Sequence, residues 1–261
     1  MKVELKTWAG LGLATALAGA GLAGCSGEAG EGGEAGESAQ AAQSGELGEA
    51  GEAGEAGDAG EGGERGGPGA LPIDQRLVFM AGHVEAGLAL YRAGESAMAA
   101  PHLMHPVSET HADERAGLDA LGFNSAPFES VSAALEAGQS ADEIEPLLNA
   151  AEANLAAMRE ASQADSSAQI RFLMETAVAE YTISVTEGVV TDAAEYQDAW
   201  GFVKVARDIA ETLDAPKADA VRETLDTMLD LWPDNAPIAP DTPTDPGQVS
   251  ALASRVMLDL P

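Results

Sequence analysis

Cysteine, basic residues and aromatic residues are all scarce in this 261-residue chain. A single cysteine is present, so no disulfide can form within the chain. Lysine and arginine total 13 against 44 aspartate and glutamate residues, for a formal net charge of -31. Such an acidic chain is not expected to bind nucleic acid or to adhere to anionic lipid surfaces. Its charge favours solubility and the attraction of cations.

Common catalytic motifs are also missing. The sequence has no Gly-x-Ser-x-Gly nucleophile elbow, no phosphate-binding loop and no evident pair of catalytic carboxylates. Its histidines have no evident nucleophile beside them. We therefore expect a protein that is not an enzyme.

The one cysteine, Cys25, follows a short apolar run at residues 8–22. This run is shorter than the roughly 20 apolar residues of a membrane-spanning helix and has the proportions of a secretory signal. It leads into Leu-Ala-Gly-Cys at residues 22–25, which resembles a bacterial lipobox. We expect a signal peptide at residues 1–24 and lipid on Cys25, which would attach the chain to a membrane. Ser26 resembles the sorting signal for the outer membrane, so we expect a cell-envelope lipoprotein facing the periplasm.

Residues 25–70 are predicted to be a disordered tether. From residue 26 the segment consists almost entirely of Gly, Glu, Ala, Ser and Gln, with one leucine and no aromatic residue. It cannot bury enough apolar surface to offset the entropy lost on ordering. A Gly-rich coil of this length spans about 35–40 Å.

Residues 71–261 are predicted to fold as one all-α domain, a bundle of about six to eight helices. Apolar residues recur there at helical spacing, and the alternation typical of strands is absent. Ser140 and Glu143 form a capping-box pattern before the longest periodic stretch. The stretches with helical periodicity cover about residues 74–93, 95–105, 109–121, 128–138, 140–163, 167–187, 193–213, 216–232 and 247–260. Pro101 is expected to interrupt or begin the second of them.

All four histidines fall within residues 80–115, which makes this stretch the candidate metal site. His102 and His105 are about one helical turn apart and form the core pair of the prediction. His83 could approach them across the helical hairpin, whereas His111 can simply pair with Glu114. The candidate ligands are His83, His102, His105, Glu109, Met98 and Met104. Imidazole, carboxylate and thioether together suit iron or copper, and zinc is possible.

A different interpretation of the same residues assigns them no ligand role. His105 precedes a proline that ends its helix, where a positive imidazole would suit the helix dipole. Methionines are more often core filler than ligands. Both interpretations remain open on the sequence alone.

Two stretches resemble the imelysin-like family of periplasmic helical-bundle proteins, which includes lipoproteins of bacterial iron-uptake systems. The run at residues 81–91, with Gly82 before His83, is similar to that family's Gly-x-His-x-x-Glu helix. The run at residues 187–202, with Tyr196 and Asp198, is similar to its turn and aromatic helix. The likeness extends over about residues 74–231. It implies metal binding in the cell envelope, with iron or copper as the metal.

Two positions depart from that family's pattern. Gly82 directly precedes His83, whereas the family has one residue between its glycine and its histidine. Glu85 stands two positions after His83, whereas the family has its glutamate at the third position. Residues two apart on a helix point about 200° away from each other. Glu85 is therefore not expected to share an ion with His83.

The sequence thus predicts an envelope-anchored lipoprotein that binds a transition-metal ion for uptake, storage or transfer. Its partners would be the membrane, through Cys25, and an envelope transport or redox protein. The alternatives are a helical scaffold that docks an envelope protein and a haem-binding variant of the first hypothesis.

Overall fold

The computed structural model describes residues 71–107, 115–214 and 218–261. The predicted signal peptide, Cys25 and the predicted tether lie outside these residues, as do Glu109 and His111. The statements below concern the described part of the chain.

The described residues form eight α-helices, short 3-10 turns and one β-hairpin whose strands are two residues long. The hairpin pairs β1 (Val185–Thr186) with β2 (Val189–Val190) in antiparallel register. The helices are α1 (Ile73–Arg92), α2 (Ser96–Met104), α3 (Ser125–Glu136), α4 (Ala141–Ser162), α5 (Ser166–Ser184), α6 (Ala193–Ile209), α7 (Ala218–Leu229) and α8 (Pro246–Asp259). The predicted all-α bundle is confirmed.

Several helix starts follow directly from local chemistry. Asp165 begins α5 by accepting a hydrogen bond from the backbone N–H of Ala168 at 2.7 Å. Asp192 begins α6 in the same way, and Ser140 with Glu143 forms the predicted capping box at the start of α4. These contacts satisfy N–H groups that have no partner within the helix.

The structure differs from the predicted boundaries at three places. Helix α2 continues through Pro101 instead of starting or breaking there. The described end of the predicted helix at 109–121 is only a 3-10 turn, Leu118–Leu121, because Gly117 before it adopts a left-handed backbone with φ 83°. Helix α5 ends at Ser184, where the chain enters β1.

Helix α1 is the central helix of the bundle. Its side chains are buried around nearly the whole circumference, and it packs against α2, α4, α5 and α6. Helix α5 packs on α6 and α8, and α7 packs on both of those helices. A helix buried on all sides places any polar residue it contains in the protein interior.

Helices α1 and α6 cross at two glycines. A Cβ atom on Gly201 would overlap the carbonyl oxygen of Gly82, and one on Gly82 would overlap the ring of Phe202. The two backbones therefore approach closely, which brings the neighbouring side chains of both helices together. None of the helices in the described ranges is both long enough and apolar enough to cross a membrane.

Candidate metal centre

Three buried side chains from three helices converge at the crossing of α1 and α6. Oδ1 of Asp198 on α6 lies 2.8 Å from Nδ1 of His83 on α1 and 2.9 Å from Nδ1 of His102 on α2. His83, His102 and Asp198 are at most 5% exposed. In the described ranges they form the one group of three His, Cys, Asp or Glu residues whose potential ligand atoms all lie within 4.8 Å of one another.

The spacing of these atoms suits one bound ion. Ligand atoms about 2.1 Å from a metal lie about 3.0–3.4 Å from each other in octahedral or tetrahedral geometry. The observed nitrogen–oxygen distances of 2.8 and 2.9 Å are slightly shorter and equal those of charge-assisted hydrogen bonds, so an ion would enter with small shifts of these side chains. Two imidazoles and one carboxylate are the ligand set of many sites for iron and other first-row transition metals.

The side chain of Gln197 determines which nitrogen of His102 has the proton. Its Nε2 donates a hydrogen bond to Sδ of Met98 at 3.3 Å, which leaves Oε1 facing Nε2 of His102 at 2.8 Å. Since a carboxamide oxygen only accepts, Nε2 of His102 must donate. A bare lone pair on Nδ1 of His102 would be repelled by the Asp198 carboxylate. Either a second proton or a cation therefore lies between these two groups.

The two neighbouring histidines together have a larger effect on the pKa of Asp198 than burial does. Burial by itself would raise the pKa of this carboxyl group. The attraction of His83 and His102 outweighs burial, so the pKa of Asp198 is well below its usual value. Asp198 is thus a carboxylate anion at any pH near neutrality, as a metal ligand must be.

Aromatic rings enclose the imidazole of His83. The rings of Phe79 and Phe202 meet it edge-on at centroid distances of 4.6 and 5.3 Å, and His105 stacks on it at 4.0 Å. These rings hold the His83 side chain in one orientation and exclude water from it. Low local polarity strengthens any interaction between a cation and Asp198.

The predicted site residues occupy different places around this centre. His83 and His102 are brought together with Asp198, whereas His105 stacks on His83 and is outside the group of three. Met98 contacts Gln197, and the side chain of Met104 is 46% exposed. Glu109 lies outside the described residues.

Glu85 faces a different part of the bundle, in agreement with the helical spacing. Its carboxyl group lines a cavity of about 370 Å³ between α1, α4 and α6, with Asn149, Lys204 and Asp208 among the other residues in the lining. Burial raises the pKa of Glu85 to about 7.

Two residues of the centre are on α6, far along the chain from the histidine-rich stretch. The family resemblance includes Asp198, whereas Gln197 is not among the predicted site residues. The available signal is a polar pair directly before the apolar run at residues 199–203, which is buried. A polar residue on a buried helix face usually has a specific partner.

The fold and the site together define an all-helical bundle with a buried His–His–Asp centre. Residues 156–260 match the family model of the iron permease-associated 4-helix bundle domain. This segment contains the end of α4 and all of α5, α6, α7 and α8, which is less than half of the chain. The chain is therefore similar to an iron-related helical bundle over that segment. No curated protein and no solved structure matches it.

Proposed function

We propose that this protein binds an iron ion through His83, His102 and Asp198 and serves iron uptake or transfer. The observation that supports the metal site most directly is the position of His102, whose Nε2 donates to Gln197 while its Nδ1 faces Asp198. Such an imidazole, oriented through its outer nitrogen by a second polar group, is typical of metal-ligating histidines.

Iron is favoured among the candidate metals by the match of residues 156–260 to an iron permease-associated domain. Asp198 is within the matched segment, and both histidines precede it. The imelysin-like resemblance of the stretches around His83 and Asp198 points to the same chemistry. Copper and zinc compete for such ligands, so affinity alone does not select iron.

The cellular setting is part of the same proposal. The lipobox-like residues 22–25 support a lipid anchor on Cys25, and the Gly-rich residues 26–70 would hold the domain away from the outer membrane. In the periplasm the protein would receive iron from, or deliver it to, an envelope transport or redox protein. Lipid attachment is tested by mass spectrometry of the processed chain, compared with the Cys25→Ala variant.

Calorimetric titration of the full chain with Fe²⁺ under anaerobic conditions tests the metal site. We expect one ion per chain, and we expect the His83→Ala/His102→Ala double variant to bind none. Glu175→Gln, which alters an exposed acid on α5, is the control and should bind as the wild type does. The proposal would be wrong if the wild-type chain bound no iron or if the double variant bound iron as the wild type does.

A further inference from the structure

Two buried glutamates lie beside the centre and are not needed to build it. Glu180 on α5 is 5% exposed and Glu195 on α6 is 9% exposed, and their carboxyl groups are hydrogen-bonded to each other. Burial, and for Glu195 also the contact with Glu180, raises the pKa of both carboxyl groups, so the pair shares a proton. Oε2 of Glu180 is buried and has no hydrogen-bond partner among the described residues.

This pair of buried carboxyl groups lowers the stability of the protein when no cation is bound. Burying a carboxyl group with one oxygen unsatisfied has a free-energy cost, and an apolar pair of similar volume would be at least as stable. A cation between Glu180 and Glu195 would replace the shared proton and neutralise both groups. The chemistry of the pair therefore fits a divalent cation.

Along α6, Glu195 lies between the exposed Asp192 and the buried Asp198 of the centre. Asp192, Glu195 and Asp198 follow each other at intervals of three along the first turns of α6, from the exposed N-cap to the buried ligand. Glu180 faces them from α5 and interacts electrostatically with Asp198, His83 and Asp192. Asp192 also offsets the positive end of the α6 dipole, which would otherwise repel a cation.

We propose that Glu180 and Glu195 form a transit subsite through which a divalent metal cation passes between the surface at Asp192 and the His83–His102–Asp198 centre. This inference rests on the proposed function. Two carboxylates without an imidazole bind a first-row transition metal more weakly than the centre does. The ion would thus pause at the glutamate pair and move on inward.

Loading and release rates of Co²⁺, which gives a visible absorption band in such a site, test the proposal on the full chain. Stopped-flow mixing measures loading, and mixing the loaded protein with excess EDTA measures release. In the Glu180→Gln/Glu195→Gln variant we expect both rates to fall about tenfold or more. The dissociation constant should change less than about threefold, because a group on the path affects both directions alike.

The direction of the release rate separates this role from its alternatives. If the glutamates were ligands or merely attracted the ion, their loss would speed release and weaken binding. Faster or unchanged release would therefore overturn the transit subsite, as would an equal slowing in the exposed control Glu175→Gln. The single variants Glu180→Gln and Glu195→Gln provide the same test if the double variant does not fold.

The two proposals fail in different ways. A wild-type chain that binds neither Fe²⁺ nor Co²⁺ overturns the proposed function and the transit subsite with it. The other outcome overturns only the transit subsite: His83→Ala/His102→Ala abolishes metal binding, but Glu180→Gln/Glu195→Gln loads Co²⁺ at the wild-type rate.

Discussion

Oδ1 of Asp198 lies 2.8 Å from Nδ1 of His83, in the closely packed interior where α6 crosses α1. The same oxygen is 2.9 Å from His102, so one carboxylate joins three helices. We expect Asp198→Asn to reduce Fe²⁺ affinity at least about 100-fold, because the amide loses the charge and donates where a ligand must accept. Anaerobic calorimetry measures this loss.

The same substitution should also destabilise the metal-free protein. Removal of one partner from a buried ion pair costs about 3 kcal/mol. Urea unfolding of the metal-free wild type and Asp198→Asn, measured at one and the same pH, gives the difference. Equal stability would mean that Asp198 and the histidines do not form an ion pair in the metal-free state.

His105 is expected to support the centre through its ring and not through its nitrogens. The rings of His83 and His105 are 4.0 Å apart and within 17° of parallel. Imidazole lone pairs lie in the ring plane, so an ion in the plane of His83 is out of the plane of His105. We expect His105→Phe, which keeps a flat ring, to retain Fe²⁺ affinity within about threefold. A loss comparable to that of His83→Ala would make His105 a ligand.

The helices were largely predictable from sequence, and the centre only in part. Helical periodicity and caps such as Ser140 and Asp192 are local signals, and they indicated most boundaries to within a few residues. His83 and His102 stood out because histidine is rare in this chain. The approach of Asp198 depends instead on how closely α1 and α6 pack, which is tertiary information that spacing along the chain does not contain.

Gln197 should tune the affinity of the centre through His102. Its oxygen accepts the Nε2–H of His102 at 2.8 Å, so Gln197→Ala removes the group that holds the tautomer. We expect Fe²⁺ affinity to fall about 10–100-fold in Gln197→Ala and to be preserved in Gln197→Glu, which still accepts. Gln248→Ala, at an exposed position on α8, is the matched control. Equal affinities in all of these variants would contradict a positioning role.

Glu85 should make the stability of the protein fall as the pH rises. Its pKa is about 7 in the folded state against a usual value of 4.5, because burial disfavours the charged form. The stabilisation by the protonated form is fully present below pH 4.5 and is lost as the pH rises through 7. Glu85 should therefore lower the free energy of unfolding by about 3 kcal/mol across this range.

The Glu85→Gln variant isolates that effect, since glutamine stays neutral. We expect its free energy of unfolding to exceed that of the wild type at pH 8.5 and to fall less between pH 5 and 8.5. Urea unfolding of both proteins at the two pH values provides the measurement. If the two proteins lost stability in parallel as the pH rises, the ionisation of Glu85 would not affect the free energy of unfolding.

Gly201 should be intolerant of any side chain. A methyl group there would overlap the carbonyl oxygen of Gly82 on α1, and backbone cannot move aside as a flexible side chain can. We expect Gly201→Ala to destabilise the protein by about 1–3 kcal/mol and to weaken Fe²⁺ binding as α1 shifts from α6. Thermal unfolding and calorimetry measure the two effects. Unchanged binding would show that the position of His83 does not depend on this crossing.

The three proposed ligands come from two parts of the chain, of which only one matches a known family model. Asp198 belongs to the segment at residues 156–260 that matches the iron permease-associated domain, whereas His83 and His102 belong to the helical hairpin before it. A shorter chain with only the matched segment would keep the carboxylate and lose both imidazoles. Removal of the hairpin formed by α1 and α2 would therefore abolish the proposed metal centre without changing the sequence of α5–α8.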